Sequence, residues 1–161
     1  MGGDSRVELA RSRIALAIRS DALKPDLRTI DSLKQTLLAA GSIAYATEGA
    51  GGLFFAELVR KLGLAEPLAS KGRPLTTGVD VGAAVARGDA EFGVLPLSEV
   101  LPVRGIEAIE NFPAELQGYV TMVAGLRAGA SPSDGARALV AFLTDTGALP
   151  VIEKRGMERP R

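Results

Sequence analysis

The glycine-rich turn Thr47-Glu48-Gly49-Ala50-Gly51-Gly52 is the segment of this sequence best suited to hold a ligand. It follows a predicted strand and precedes a predicted helix, so its backbone N–H groups and the positive helix end face the same point. That point favours an anion or a carboxylate, and glycine lets a ligand approach the backbone closely. A tight turn with a purely structural role is the alternative. The turn lacks the Gly-Lys-Ser/Thr of a P-loop and the full spaced-glycine dinucleotide fingerprint.

A second strand-to-helix junction, Leu95-Pro96-Leu97-Ser98-Glu99, is predicted to face the same crevice. In α/β sheets, ligands bind beyond the carboxyl ends of the strands. Ser98 suits either a ligand donor or a helix cap, and Glu99 fits a favourable charge near a helix start. Leu95, Pro96 and Ser98 therefore join residues 47–52 in the candidate ligand-binding set.

Catalytic residues are not indicated by the sequence. His and Cys are both absent, which removes two of the commonest acid–base and nucleophilic groups, and no Ser lies in a Gly-x-Ser-x-Gly turn. The carboxylates of Asp80, Asp89 and Glu91 lie beside glycines at predicted helix ends, which is typical of surface positions. We therefore expect a non-enzymatic binding module without a catalytic residue, metal or cofactor.

Composition excludes several partners. The 161 residues include 19 basic and 19 acidic side chains, and no Lys/Arg stripe interleaved with aromatic residues indicates a nucleic-acid partner. No stretch approaches the roughly 20 apolar residues of a membrane span, so membrane insertion is not expected. The first twelve residues lack the apolar middle section of a secretory signal peptide. The chain is therefore expected to be cytoplasmic if Met1 is its natural start.

Hydrophobic periodicity predicts strands and helices in alternation. The predicted strands are Arg13–Arg19, Ser42–Ala46, Pro74–Thr77, Phe92–Leu95, Gly105–Phe112 and Tyr119–Leu126. The predicted helical segments are Ile30–Ala40, Leu53–Leu62, Asp80–Arg87, Leu97–Leu101, Ser133–Thr144 and about Gly147–Arg155. Such alternation with short loops favours an α/β fold in which helices cover both faces of a mostly parallel sheet.

Five segments, in this order and spacing, carry a family resemblance. They are Arg11-Ser12-Arg13-Ile14-Ala15-Leu16-Ala17-Ile18-Arg19, Lys24-Pro25-Asp26-Leu27, Ser42-Ile43-Ala44-Tyr45, Val85-Ala86-Arg87-Gly88-Asp89-Ala90-Glu91-Phe92-Gly93 and Pro113-Ala114-Glu115-Leu116-Gln117. Together they resemble the molybdate-binding-like branch of the type 2 periplasmic solute-binding proteins of ABC importers. The similarity runs from about Leu9 to Met157.

This resemblance implies two α/β lobes that close over a ligand and are joined by hinge strands. It implies that residues 13–118 form lobe two, and that 119–157 are a hinge strand and C-terminal helices of an incomplete lobe one. It further implies a periplasmic location, an ABC importer permease as partner in the full-length context, and a small anion such as an oxyanion or carboxylate as ligand. The family's molybdate binders carry a tyrosine where this sequence has Pro96, which cannot donate a hydrogen bond.

Alternatives follow from the same architecture. An effector-sensing domain of a transcription regulator shares the two lobes, and a truncated remnant that no longer binds a ligand is a further alternative. An enzyme acting on a small acid is the weakest alternative, because His and Cys are absent. If lobe one is incomplete, an apolar face of the last two helices lacks cover, and exposed apolar patches favour association. We therefore expect a homo-oligomer formed through these helices. The apolar residues of this face are Leu139, Val140, Leu143, Val151 and Ile152.

Overall fold

The computed structural model describes residues 6–125 and 134–160, which form a six-stranded sheet with helices on both faces. The strands are β1 (Val7–Arg19), β2 (Ile43–Ala46), β3 (Gly72–Leu75), β4 (Phe92–Pro96), β5 (Ile106–Ile109) and β6 (Tyr119–Ala124). The helices are α1 (Ile30–Ala39), α2 (Ala50–Leu62), α3 (Ala65–Leu68), α4 (Gly78–Arg87), α5 (Leu97–Val100), α6 (Asp134–Thr144) and α7 (Leu149–Lys154). Two short 3₁₀ helices span Ala114–Leu116 and Thr146–Ala148.

The sheet has the order β3-β2-β4-β1-β5, with β6 paired to the first half of β1. Strand β2 is parallel to β3 and β4, whereas β1 is antiparallel to β4 and β5. It follows that β5 runs in the same direction as β2, β3 and β4, and β1 alone is reversed among these five. The predicted α/β fold is confirmed, and its sheet is mixed. The sheet is mixed because the chain leaves it at the end of β1 and re-enters it in β2 on the same side, so the two strands run in opposite directions.

Strand β1 is longer than the sequence predicts, because it begins at Val7 rather than Arg13. Its first half pairs with β6, and its second half lies between β4 and β5. The first half alternates between exposed and less exposed positions, as is usual for a strand with one solvated face. Only the second half, which is buried on both faces, forms the continuous apolar run that the sequence shows. One strand thus belongs to both predicted lobes, and the boundary between them stays a prediction.

The core lies on the two faces of the sheet. Helices α1, α2 and α3 cover one face, where Leu33 and Leu37 are buried as predicted, while Leu38 is 42% exposed. Helices α4 and α5 cover the other face, where Val81 and Val85 contact the small side chains of the central strands. Helices on both faces are what the alternating pattern predicts.

Several boundaries differ from the predicted ones for local reasons. Strand β3 ends at Leu75, because the hydroxyl of Thr77 accepts a hydrogen bond from the Asp80 N–H and caps α4. Helix α2 begins at Ala50, three residues before the predicted start at Leu53. Strand β5 is four residues long and ends at Ile109. Helix α3 was not predicted.

The C-terminal elements follow the prediction in order. Strand β6 ends at Ala124, and the predicted strand end Leu126 and helix start Ser133 lie outside the described residues. In the part of the chain that the structure describes, no single helix is long and apolar enough to cross a membrane. The helical segments 134–144 and 146–154 together have the length and composition of a membrane span, but a 57° bend separates them.

Candidate functional site

Three strand-to-helix junctions meet at one edge of the sheet. Strands β2, β3 and β4 are parallel, and their last residues lie side by side, with Ala46 opposite Leu75 and Tyr45 opposite Val94. Helices α2, α4 and α5 begin within a few residues of these ends. We call this the carboxyl edge. Two of its junctions were predicted from the sequence, and both lie here.

The third junction follows from the predicted strand Pro74–Thr77 and helix Asp80–Arg87, but it was not included in the candidate site. The start of α4 was missed because Thr76 and Thr77 were assigned to the strand. The sequence does contain a signal for it. Thr77 and Asp80 form a capping box, in which the side chain of each accepts a hydrogen bond from the backbone N–H of the other. A Thr-x-x-Asp pattern before an apolar run marks the first turn of a helix.

Helix α2 starts without a side-chain cap. Its N-cap residue is Gly49, whose carbonyl accepts a hydrogen bond from the Leu53 N–H at 3.1 Å. Among the described residues, none accepts a hydrogen bond from the N–H groups of Ala50, Gly51 or Gly52. Helices α1 and α4, by contrast, both start with a capping box. Three backbone donors at the positive end of a 13-residue helix therefore lack an acceptor within the described part of the chain, an arrangement that favours a bound anion.

Gly51 and Gly52 are glycines for reasons of packing. A Cβ atom on Gly51 would lie 2.2 Å from the carbonyl oxygen of Val94, and one on Gly52 would lie 1.8 Å from that of Ala46. Any larger residue would push α2 away from the ends of β2 and β4. The purely structural role considered for this turn therefore applies to Gly51 and Gly52. The two residues before them, Gly49 and Ala50, are half-buried.

Thr47 and Glu48, the first two residues of the predicted turn, are exposed. The Thr47 N–H donates to the carbonyl oxygen of Leu75 at 3.0 Å, and its hydroxyl reaches the same oxygen at 3.4 Å. Thr47 therefore links the ends of β2 and β3. Glu48 brings a negative charge close to the start of α2, which opposes anion binding there.

At the second predicted junction, Leu95 and Pro96 are both buried, and Leu95 is only 1% exposed. A Cβ on Gly51 would lie 3.4 Å from the Cα of Leu95, so the structure brings the two predicted junctions together. The side chains of Leu95 and Pro96 lie in the interior, however, and only the backbone of these two residues faces the carboxyl edge. Pro96 is the N-cap residue of α5.

Ser98 lies within α5 and does not cap it. Its N–H donates to the hydroxyl of Ser12 at 3.0 Å, and that hydroxyl donates to the carbonyl oxygen of Gly156 at 3.0 Å. Because Ser12 is fully buried, the Ser98 N–H is not available to a ligand. The half-exposed Ser98 side chain is the part of this residue that remains accessible.

Glu99 is a carboxylate at the same edge that sequence reasoning did not include in the site. Its Oε2 packs against Gly78 at the start of α4, since a Cβ on Gly78 would lie 1.8 Å from this atom. No described residue donates a hydrogen bond to the Glu99 carboxylate or forms an ion pair with it. Partial burial of the carboxylate raises the pKa of Glu99 above its ordinary value.

The surface grooves do not unite all the predicted residues. A groove of about 650 Å³ beside β3 and α4 includes Thr47, and another of about 420 Å³ between α5 and α7 includes Ser98. The second groove also has Lys154 and Arg155 on its wall. Within the described segments, no cluster of acidic side chains is arranged to hold a metal ion.

The fold is an α/β fold in which parallel strands end and helices begin at the carboxyl edge, which is where open α/β sheets generally bind their ligands. Residues 1–158 match the model of the bacterial extracellular solute-binding protein family, and the chain belongs to this family. The family resemblance seen in the sequence is thereby confirmed.

Two solved structures have the same type 2 periplasmic binding protein fold. One is the substrate-binding domain assigned to a molybdenum ABC transporter of Clostridium difficile, with a TM-score of 0.80 and 18% identity over 98% of this chain and 67% of that one. The other is the periplasmic molybdate-binding protein of Azotobacter vinelandii, with a TM-score of 0.72 and 17% identity over 100% of this chain and 70% of that one. At these identities the likeness establishes the fold.

An aconitate isomerase of a Pseudomonas species is 35% identical over 155 residues, which are 96% of this chain and 59% of that protein. The chain therefore spans 59% of the length of this relative. An enzyme among its relatives corrects the expectation of a non-enzymatic module. The missing His and Cys remove two kinds of acid–base group, but carboxylates are also general acids and bases in enzymes.

Proposed function

We propose that this chain belongs to a solute-binding protein that binds a small polycarboxylate of the aconitate class at the carboxyl edge and isomerises it. The observation that carries the proposal is the uncapped start of α2, with three N–H groups at the carboxyl edge that have no acceptor among the described residues. The aconitate isomerase relative indicates which class of anion to test first.

The geometry suits carboxylates. A carboxylate accepts several hydrogen bonds at once, and bonds to a charged oxygen are shorter and stronger than neutral ones. The start of α4 lies at the same edge, and outside its capping box the N–H groups of Gly78 and Val79 have no acceptor among the described residues, so separate carboxylates of one ligand have separate partners. This arrangement supports an anion with more than one carboxylate.

The periplasmic location and the ABC importer permease belong to the same proposal. Membership of the extracellular solute-binding family supports both. The non-binding alternative makes a different prediction from this proposal, because a truncated remnant binds no anion at all.

Titration calorimetry with cis-aconitate, trans-aconitate, molybdate and sulfate tests the proposal, followed by proton NMR of the aconitate samples to detect conversion. We expect heat with at least one aconitate isomer, interconversion of the two, and no heat with sulfate. Absence of heat with every anion would overturn the binding proposal and favour the remnant alternative. Heat with molybdate alone would replace the polycarboxylate by an oxyanion.

The role of α2 is tested by Ala50→Pro. Ala50 is the first residue of the helix, where proline is tolerated, and Gly49 before it is extended, with ψ 162°. The change removes one N–H donor while keeping the helix, so we expect affinity to fall about tenfold or more. Ala50→Ser is the matched control, because it keeps the N–H. Equal affinity of the two variants would remove this N–H from the site.

A further inference from the structure

We infer that Glu99 is the catalytic carboxylate that carries the proton during the isomerisation. This inference rests on the proposed function and assigns a chemical role within the same site. It starts from the position of Glu99, which is the third residue of α5 and follows β4 at the carboxyl edge. Its Oε2 lies against Gly78, at the start of α4.

Glu99 has no hydrogen-bond or ion-pair partner among the described residues, and Glu48 near the start of α2 has none either. Asp80 is engaged in the capping box of α4, and Glu91 accepts a hydrogen bond from the Gly41 N–H at 2.6 Å. Glu158 is paired with two arginines. Neither carboxylate oxygen of Glu99 therefore accepts a hydrogen bond from a described residue, and the residue as a whole is exposed to solvent.

Its surroundings also suit a base. Partial burial raises the pKa of Glu99, which brings the carboxylate closer to the basicity that proton abstraction near neutral pH requires. Glu48, the acidic residue of the turn at 47–52, is exposed. Glu99 is also exposed as a residue, and it differs from Glu48 in that its Oε2 packs against Gly78 at the start of α4.

The reaction needs one proton carrier and no oxidant. Glu99 removes a proton from the methylene carbon of aconitate, and the C–H electron pair forms a new double bond to the central carbon. The electron pair of the old double bond moves to the former vinylic carbon, where the adjacent carboxylate delocalises it. Protonated Glu99 then returns the proton to that carbon. The product is again aconitate, with the double bond moved and its geometry reset.

The helix ends supply the electrostatic part of this step. Negative charge on the aconitate carboxylates increases when the proton is removed. The N–H groups at the start of α2 and the positive end of α4 stabilise that charge without reorganising. The inference therefore gives distinct roles to the two features of the carboxyl edge, with helix ends that hold the anion and one carboxylate that moves the proton.

The test is Glu99→Gln, compared with the unchanged chain for aconitate binding by calorimetry and for cis–trans conversion in D₂O by NMR. We expect the conversion rate to fall about 100-fold or more, with affinity retained and with loss of deuterium incorporation into the ligand. Glu99→Asp keeps a carboxylate that is one methylene shorter and should retain part of the rate. Glu66→Gln is the matched control, since Glu66 is an exposed acid on α3, beyond the far end of α2.

The outcomes separate the two claims. If the unchanged chain binds and converts aconitate and Glu99→Gln keeps more than about a tenth of the rate, well below the expected effect, then Glu99 is not the base and the proposed function stands. If the unchanged chain neither binds nor converts aconitate, the proposed function fails and this inference fails with it. Binding without conversion overturns the isomerase claim and the role of Glu99, and leaves a binding site.

Discussion

Ser12 is the buried polar residue that joins three parts of the fold. It lies in β1, is fully buried, accepts a hydrogen bond from the Ser98 N–H of α5, and donates one to the carbonyl oxygen of Gly156 after α7. A partly buried N–H and a partly buried carbonyl both depend on this single hydroxyl. Ser12 therefore fixes the start of α5, and with it the position of Ser98 and Glu99.

Ser12→Ala tests this dependence. The change leaves one donor and one acceptor without a partner, so we expect the free energy of unfolding to fall by about 2 kcal/mol in urea titrations. Ser42→Ala is the control, because the Ser42 hydroxyl accepts its hydrogen bond from the Glu91 N–H at an exposed position. Its effect should stay within about 0.5 kcal/mol. Equal losses of unfolding free energy in the two variants would show that the hydrogen bonds of Ser12 contribute no more to stability than that of Ser42.

For individual residues, the sequence predicts the place in the fold better than the role of the side chain. The turn at residues 47–52 was found from glycine content, yet the need for Gly52 comes from the carbonyl of Ala46, which only the packed structure places beside it. Leu95 and Pro96 were included for their place after a strand, and their side chains are buried. Glu99 was not included, because its environment depends on Gly78, twenty-one positions earlier in the chain.

Among the elements, β1 is held on its outer half by the C-terminal tail. Arg11 and Glu158 exchange two backbone hydrogen bonds of 2.8 Å, and the Glu158 carboxylate pairs with the side chains of Arg11 at 2.6 Å and Arg13 at 3.0 Å. The Arg11 guanidinium also lies 4.2 Å from the ring centroid of Tyr119 in β6. Strand, tail and β6 thus form one cluster around Glu158.

The Glu158 cluster predicts a dependence of stability on pH. Although desolvation acts in the opposite direction, hydrogen bonds from Arg11 and Arg13 lower the pKa of Glu158 in the folded state. A lowered folded pKa stabilises the protein above the unfolded pKa of about 4.3, and the contribution is lost as pH falls. We expect Glu158→Gln to reduce stability by about 1 kcal/mol at pH 7, with the difference from the unchanged chain shrinking at about pH 3.

Urea unfolding at the two pH values measures this difference. Glu57→Gln is the control, because Glu57 forms an exposed pair with Arg60 one helical turn away in α2. Such a pair contributes only about 0.3–0.5 kcal/mol, so its removal should have the smaller effect. A Glu158→Gln effect that does not change with pH would contradict the ionic origin of the stabilisation.

Element prediction from the sequence succeeded where burial leaves a pattern. The inner half of β1 is buried on both faces and appears as a continuous apolar run, so it was found. The outer half, from Val7, alternates and is identified only by its pairing with β6. The direction of each strand was harder to predict than its position, because no local sequence signal indicates that β1 is antiparallel to β4.

The whole molecule has an uncovered apolar side. Helices α6 and α7 contain no buried residue, and Leu139, Phe142 and Val151 are 58%, 70% and 64% exposed. A mainly apolar groove of about 530 Å³ runs between α6, the end of β6 and the start of β1. Of the face predicted to lack cover, Leu139 and Val151 are exposed, whereas Val140, Leu143 and Ile152 are half-buried, and oligomerisation stays a prediction.

Self-association is the consequence that we expect at this scale, because burying exposed apolar side chains favours contact between copies. Light scattering over a wide concentration range should give a mass that rises above that of one chain, and Phe142→Ser should shift it back towards the monomer. Leu23→Ser is the matched control, because Leu23 is 97% exposed in the segment after β1, away from α6 and α7. A strictly monomeric mass at every concentration would contradict the prediction. An equal shift in both variants would show that association depends on general surface hydrophobicity and not on this face.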